Sequence, residues 1–189
     1  MRITGGIYGG RPLKAPGDMR VRPTADKVRQ AIFNILRHHD FENGFALEGA
    51  RAVDLFAGTG ALGIEAISQG ARYCLFVDDA ASSRALVREN VEAFALTGKT
   101  RIWRRNAANL GPLPAGAGGP FELAFLDPPY RKDLIFPALS SLCAGGWLSP
   151  GAVIVAETAA EEAVPAADGF ALCDERTYGD TRVAFLRLG

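Results

Sequence analysis

Val53-Asp54-Leu55-Phe56-Ala57-Gly58-Thr59-Gly60-Ala61-Leu62-Gly63-Ile64-Glu65-Ala66 joins a short apolar run to a helix-like pattern through a glycine-rich turn, with a carboxylate near the end of the run. This order of residues suits a tight strand-to-helix turn wrapped around a ligand. Gly58, Gly60 and Gly63 satisfy G-x-G-x-x-G, which alone suggests a dinucleotide. Asp54 argues otherwise. A pyrophosphate is held by backbone N–H groups at a helix N-terminus, and an acid beside it repels the anion. A carboxylate there suits a neutral or cationic ligand.

Outward from this stretch, strand and helix patterns alternate. Ala52 to Leu55 reads as a first strand and Ala61 to Gln69 as a helix stopped by Gly70. Tyr73 to Val77 is a buried-type strand ending in Asp78-Asp79. Ala80 to Leu96 follows as a long helix, with Gly98 placed to end it. Arg101 to Arg104, Leu123 to Leu126 and Ala152 to Glu157 give three more strands. Gly111 to Pro120 reads as a mobile loop, Leu134 to Cys143 as a helix, and Phe170 to Leu188 as a closing hairpin turned at Gly179-Asp180. Strands separated by helices imply right-handed βαβ units and a mostly parallel sheet with helices on both faces. The hairpin adds an antiparallel edge. Ligands in such sheets bind beyond the C-terminal strand ends, where Asp54, Asp78, Asn106 and Asp127 converge.

The 189 residues, 48% of them apolar, support one domain with a small appendage. No apolar run reaches the roughly 18 residues that span a bilayer, and no h-region follows Met1. Cys74, Cys143 and Cys173 are scattered, which suits neither a zinc site nor a disulfide framework and points to a reducing, cytoplasmic setting. Net charge is zero but unevenly spread. Residues 1 to 37 hold eight bases and two acids, a local charge of +6, against −6 in the remainder. That asymmetry suggests a basic lobe for nucleic acid on an acidic body.

The basic lobe begins with a Gly-, Pro- and Arg-rich arm, read as a hairpin with β-capable stretches at Arg2-Ile3-Thr4 and Met19-Arg20-Val21. A helix follows Arg22-Pro23, with Thr24 as N-cap and Val28, Ile32, Ile35 and Leu36 as its apolar stripe. Lys27 and Arg29 fall away from that stripe and are expected to point outward. His38-His39 reads as the helix end.

Two further signals define the chemistry. Asp78 stands 20 residues after Gly58, where an acid accepts both ribose hydroxyls of a nucleoside; Asp79 is the adjacent alternative. This supports an adenosyl ligand without separating nicotinamide from methionine. Asp127-Pro128-Pro129-Tyr130 separates them. Its prolines fix the backbone and remove two N–H donors, so a carboxylate and a rigid carbonyl form an acceptor pair for a planar amino group. Tyr130 offers a ring for base stacking, worth ~1–3 kcal/mol. The ligand that fits the acidic turn is then S-adenosylmethionine, a sulfonium with an α-amino group.

Asp54…Gly58-x-Gly60, Asp78 and Ala124-Phe125-Leu126-Asp127-Pro128-Pro129-Tyr130 resemble a class I S-adenosylmethionine-dependent methyltransferase acting on exocyclic amines. Arg2-Ile3-Thr4-Gly5-Gly6, Gly10-Arg11-Pro12-Leu13, Arg22-Pro23-Thr24-Ala25-Asp26-Lys27-Val28-Arg29, Phe33-Asn34 and Tyr178-Gly179-Asp180-Thr181 extend the resemblance over nearly the whole chain. It is to the bacterial 16S ribosomal RNA (guanine-N2)-methyltransferases. The resemblance implies a Rossmann-like seven-stranded methyltransferase domain over residues 41–189 and an RNA-binding hairpin and helix over residues 1–40. It implies catalysis by Asp127, Pro128, Pro129 and Tyr130. Cofactor contacts would come from Asp54, Phe56, Ala57, Gly58, Thr59, Gly60, Asp78, Asp79, Asn106 and Ala107. RNA contacts would come from Arg11, Arg22, Thr24, Lys27 and Arg29. It also implies a monomer, without metal or membrane, acting on 16S rRNA in the small ribosomal subunit or its assembly intermediate. Two departures stand out. Asp78 replaces the family's usual Glu, and Asn106 replaces an acid that contacts the adenine amino group. The rival readings are a DNA adenine-N6 or cytosine-N4 methyltransferase and a nucleic-acid-binding protein with an idle methyltransferase fold.

Overall fold

The computed structural model describes residues 1–17, 23–42 and 44–189, and the side chains of all of these except Pro23 and Thr24. Met19-Arg20-Val21, Arg22 and the capping side chain of Thr24 therefore lie outside the described residues. Seven strands and four α-helices follow in order: α1(Pro23–His38), β1(Arg51–Leu55), α2(Ala61–Ser68), β2(Tyr73–Val77), α3(Ala81–Ala93), β3(Thr100–Trp103), β4(Phe121–Leu126), α4(Ile135–Ala144), β5(Leu148–Ala159), β6(Phe170–Tyr178) and β7(Thr181–Leu188). Helix α1 begins at Pro23, so Thr24 sits inside the helix and not ahead of it. Pro23 is well suited to a first position, since its missing N–H has no intrahelical partner there.

The strands form one sheet in the order β3-β2-β1-β4-β5-β7-β6. Pairing is parallel from β3 to β5, and β7 runs antiparallel between β5 and β6. The apolar runs of β1, β2 and β4 are buried on both faces, as a central parallel strand requires. On one face α1, α2 and α3 bring Ile32, Phe33, Ile64 and Val91 against Phe76, Phe125, Val155 and Phe185. On the other, Leu139 and Leu142 of α4, with Trp147, pack on Val53, Leu55 and Ile154.

Three local readings change. Helix α3 ends at Ala93, three residues before the expected Leu96. Leu96 N–H bonds to Val91 C=O and Ala95 N–H to Glu92 C=O, with Ala95 left-handed at φ 56°. This is a Schellman cap with alanine where glycine is the usual choice, secured by the buried Val91 and Leu96. The 111–120 loop, expected to be mobile, is anchored at three points: Leu113 N–H bonds to Gly145 C=O, Trp147 Nε1 donates to Gly111 C=O, and Ala117 is buried.

The arm is also more integrated than its composition suggests. Ile3 N–H bonds to Arg11 C=O and Leu13 N–H to Met1 C=O, closing a small hairpin over a 3-10 turn at Gly6–Tyr8. It lies directly on α2. Glu65 accepts Thr4 N–H at 2.8 Å and Gly5 N–H at 2.9 Å, and a Cβ on Gly6 would meet Ser68 C=O at 1.8 Å.

Candidate active site

Gly58 and Gly60 adopt left-handed φ values of 56° and 78° after β1, a region that favours glycine. Gly63 has a different task. A Cβ there would stand 2.4 Å from the Phe76 ring and 2.6 Å from Cys74 Sγ, so its absence lets α2 seat against β2. Phe56, at φ 59°, is a non-glycine residue in the left-handed region and a local store of strain. The turn is locked by two carboxylates. Asp54 accepts Gly63 N–H at 3.0 Å. Asp78 accepts Gly58 N–H at 3.0 Å and Ala80 N–H at 2.9 Å.

Sheet register brings four acids to one rim. Asp54 pairs with Phe76 and with Phe125, and Phe125 pairs with Val155. Asp78, Asp127 and Glu157 lie two residues beyond those partners, so all four acids share one face of the sheet at its C-terminal edge. All four line a cavity of about 1160 Å³, together with Phe56, Ala57, Gly58, Thr59, Asp79, Asn106, Pro128, Pro129 and Tyr130. Most sequence-assigned cofactor and catalytic positions therefore surround one space. Gly60 and Ala107 are buried and do not line it. Asn106 uses Oδ1 to accept Ala108 N–H at 2.9 Å, which leaves one lone pair for a ligand.

The cavity is electrostatically acidic. Burial pushes the Asp54 carboxyl well above the usual range; the Gly63 N–H opposes the rise, and the charges of Asp127 and Asp78 add to it. Water reaches Asp127 along the cleft, but protein atoms crowd its other sides, and that desolvation pushes its carboxyl up to about 6. Burial raises Glu157 as well, reinforced by Asp127, opposed by Arg29 and reinforced again by Asp54. A cavity with this field favours a cationic occupant.

After Asp127-Pro128-Pro129-Tyr130 the chain passes through Arg131 and Asp133, both left-handed at φ 59° and 52°. The Tyr130 hydroxyl shares a 2.9 Å hydrogen bond with Thr181 Oγ1, joining this loop to the β6–β7 turn. Asp180 and Thr181 also line the cavity.

The basic residues divide. Lys27 is exposed. Arg11 lies across Phe94, its guanidinium carbon 4.3 Å from the ring centroid, and donates to Ala93 C=O, away from the cavity wall. Arg29 is a correction. It is 5% exposed, pairs with Glu65 at 3.1 Å and Asp26 at 2.7 Å, and donates to Arg2 C=O. Helix α1 turns it inward because Glu65 is wholly buried under the arm and must be paired there.

Sequence reading missed Glu157, Glu65 and Asn90. Glu157 carried a usable signal, since it ends an apolar strand as Asp78 and Asp127 do. Asn90 carried none. Buried on α3, it accepts Lys14 N–H and donates to Lys14 C=O and Thr59 C=O, clipping the arm to the glycine turn.

Comparison with known proteins agrees with this geometry. The family model described as "Conserved hypothetical protein 95" matches residues 1–187. The YlbH protein of Bacillus subtilis is 35% identical over 99% of this chain and 98% of its own. A protein of Escherichia coli strain K12 named "Ribosomal RNA small subunit methyltransferase D" is 34% identical over 87% of this chain and 78% of its own. Among solved structures, the YhhF protein of Escherichia coli superposes with a TM-score of 0.81 at 26% identity, covering 100% of this chain and 97% of its own. The chain belongs to the Conserved hypothetical protein 95 family of class I S-adenosylmethionine-dependent methyltransferases.

Proposed function

We propose that the chain methylates the exocyclic N2 of a guanine in 16S ribosomal RNA, at the guanine-966 site, within the assembling small subunit. The observation that carries this reading is the placement of Asp127 and Pro128 on the wall that Asp54, Asp78 and the glycine turn also line. The relative named "Ribosomal RNA small subunit methyltransferase D" supports a ribosomal substrate.

The residues fit the methyl donor. About 1160 Å³ accommodates a nucleoside-sized cofactor and an acceptor base. Asp78 has roughly four lone-pair sites, of which two are taken by backbone N–H groups, leaving two for a ribose diol. Asp54 and its acidic neighbours favour the cationic amino acid end. When bound, S-adenosylmethionine supplies a methyl group already activated on a sulfonium. Asp127 and the Pro128 carbonyl accept hydrogen bonds from the two N2–H groups of guanine, which holds the amine and lets its nitrogen pyramidalise. Held there by Asp54, Asp78 and the glycine turn, the donor would supply its methyl carbon to N2, the carbon–sulfur electron pair leaving with sulfur. Asp127 can receive the surplus proton and pass it to the water that reaches it along the cleft. Tyr130 gives the base a ring to stack on, after the guanine is swung from its own stack at a cost of a few kcal/mol. Lys27 and Arg22 of the basic lobe contact the surrounding phosphates.

The test is tritium transfer from labelled S-adenosylmethionine to naked 16S RNA, small-subunit particles and DNA, followed by nucleoside analysis. N2-methylguanosine from RNA or particles is expected. Label in N6-methyladenine, or in DNA alone, overturns the reading.

A further inference from the structure

The Glu157 carboxylate opens on the cavity beside the amine-binding loop and accepts no hydrogen bond from any described residue. It follows Ala156, which pairs with Leu126, so Glu157 stands next to Asp127 across a parallel pair about 4.8 Å apart. Glu157 lines the main cavity and also a second one of about 200 Å³, and the two share Pro128, Pro129 and Tyr130 as wall. Among the described residues the cation that bears on it is Arg29, whose guanidinium is already committed to Glu65 and Asp26. Transfer through Asp127 and Pro128 does not require it.

A base whose amino group sits on Asp127 and the Pro128 carbonyl presents its neighbouring ring nitrogen alongside. The chemistry of that nitrogen differs among bases. Guanine has an N1–H donor next to N2, whereas adenine and cytosine have a bare lone pair next to N6 and N4. We propose that Glu157 is the specificity-determining residue of the acceptor site, accepting guanine N1–H and repelling the lone pair of adenine or cytosine. This rests on the guanine-N2 reading and goes beyond it, because an Asp-Pro-Pro-Tyr loop alone accepts any exocyclic amine. Positive charge in the cleft favours the ionised form of Glu157, which is the form that accepts N1–H and has no proton to offer a bare lone pair.

The test compares two acceptors at the target position of the small-subunit RNA: guanine, and 2-aminopurine, which keeps the C2 amino group but has a lone pair at N1. Wild-type enzyme is expected to favour guanine by about tenfold or more. In Glu157→Gln, whose amide both donates and accepts, and in Glu157→Ala, that ratio falls toward one. Because the ratio is taken within one preparation, it is independent of the folded fraction. Where a variant transfers too slowly to score, 2-aminopurine fluorescence reads entry of the base. A larger enhancement than with wild type supports the assignment. An unchanged ratio, or equal fluorescence, overturns it while N2-methylguanosine formation by wild type still stands. Absence of N2-methylguanosine from the wild-type reaction overturns the guanine reading itself, and the role of Glu157 with it.

Discussion

The two halves of the cleft are built by opposite means. In the half proposed to face the methyl donor, Asp54 and Asp78 are tied to backbone N–H groups of Gly63, Gly58 and Ala80, so the turn is shaped before any ligand arrives. In the half proposed for the acceptor, Asp127 and Glu157 accept no hydrogen bond from a described residue, and both carboxyls are raised. One half is preorganised by its own hydrogen bonds. The other holds acceptor capacity in reserve for donors that come with the substrate. Donor binding and chemistry should therefore be separable by substitution.

The largest effect is expected from Asp127→Ala. Loss of one of the two acceptors on the amine should lower transfer on the order of a hundred- to a thousandfold. Cofactor affinity, measured by isothermal titration, should change by less than about threefold, because Asp127 makes no bond to the glycine turn. A large loss of cofactor binding would merge the two halves and undo the comparison.

Gly63→Ala attacks the other half. The added Cβ has no room between the Phe76 ring and Cys74 Sγ, so α2 must lift from β2. Overpacking of this kind costs about 1–3 kcal/mol, readable as a lower urea midpoint. The Asp54–Gly63 bond moves with the helix, and cofactor affinity should fall with it. Stability lost without affinity would show that the turn is not preorganised by this bond.

How much of this was legible in the sequence depends on the range of the interaction. The glycine turn, Asp78 and Asp-Pro-Pro-Tyr are local patterns, each fixed by the backbone conformation or the donor loss its own residues impose. The βαβ alternation and the terminal hairpin follow from equally local periodicities. Arg29 and Glu65 were not legible as a pair, because they are 36 residues apart and meet only when α1 and the arm close over α2. Helical spacing correctly took Arg29 off the apolar stripe, but it could not say that the flank it occupies is covered. Glu157 belongs to the same class. Its strand-end position could be read, but its place beside Asp127 is a property of sheet register.

pH offers a smaller, graded test. The role proposed for Asp127 needs it ionised, and with its carboxyl near 6 the value of kcat/KM should fall about tenfold from pH 7 to pH 5. Stability runs the other way. A carboxyl raised in the folded state contributes stability that is fully present below its ordinary value of 3.8 and lost as pH rises through about 6. The ligand-free protein should therefore melt at a lower temperature at pH 7 than at pH 5 while its activity rises. Asp127→Asn should reduce that trend. A pH profile of transfer that is flat between 5 and 7 would mean the acceptor half carries no proton to lose.

The smallest effect is expected from Lys27 on the basic lobe, set against its buried neighbour on the same helix. Lys27 is exposed on α1 and Arg29 is buried two residues along, so one helix carries a base available to phosphate and a base committed to the fold. Lys27→Ala should weaken RNA binding severalfold at moderate salt and lower the slope of log K against log salt by about one, with no change in melting temperature. Arg29→Ala strands Glu65 without its cation in a wholly buried position, so its signature is unfolding, at about 3–5 kcal/mol, and not a changed salt slope. A folded Arg29→Ala with a reduced salt slope would instead return Arg29 to the RNA and make the arm's attachment independent of it.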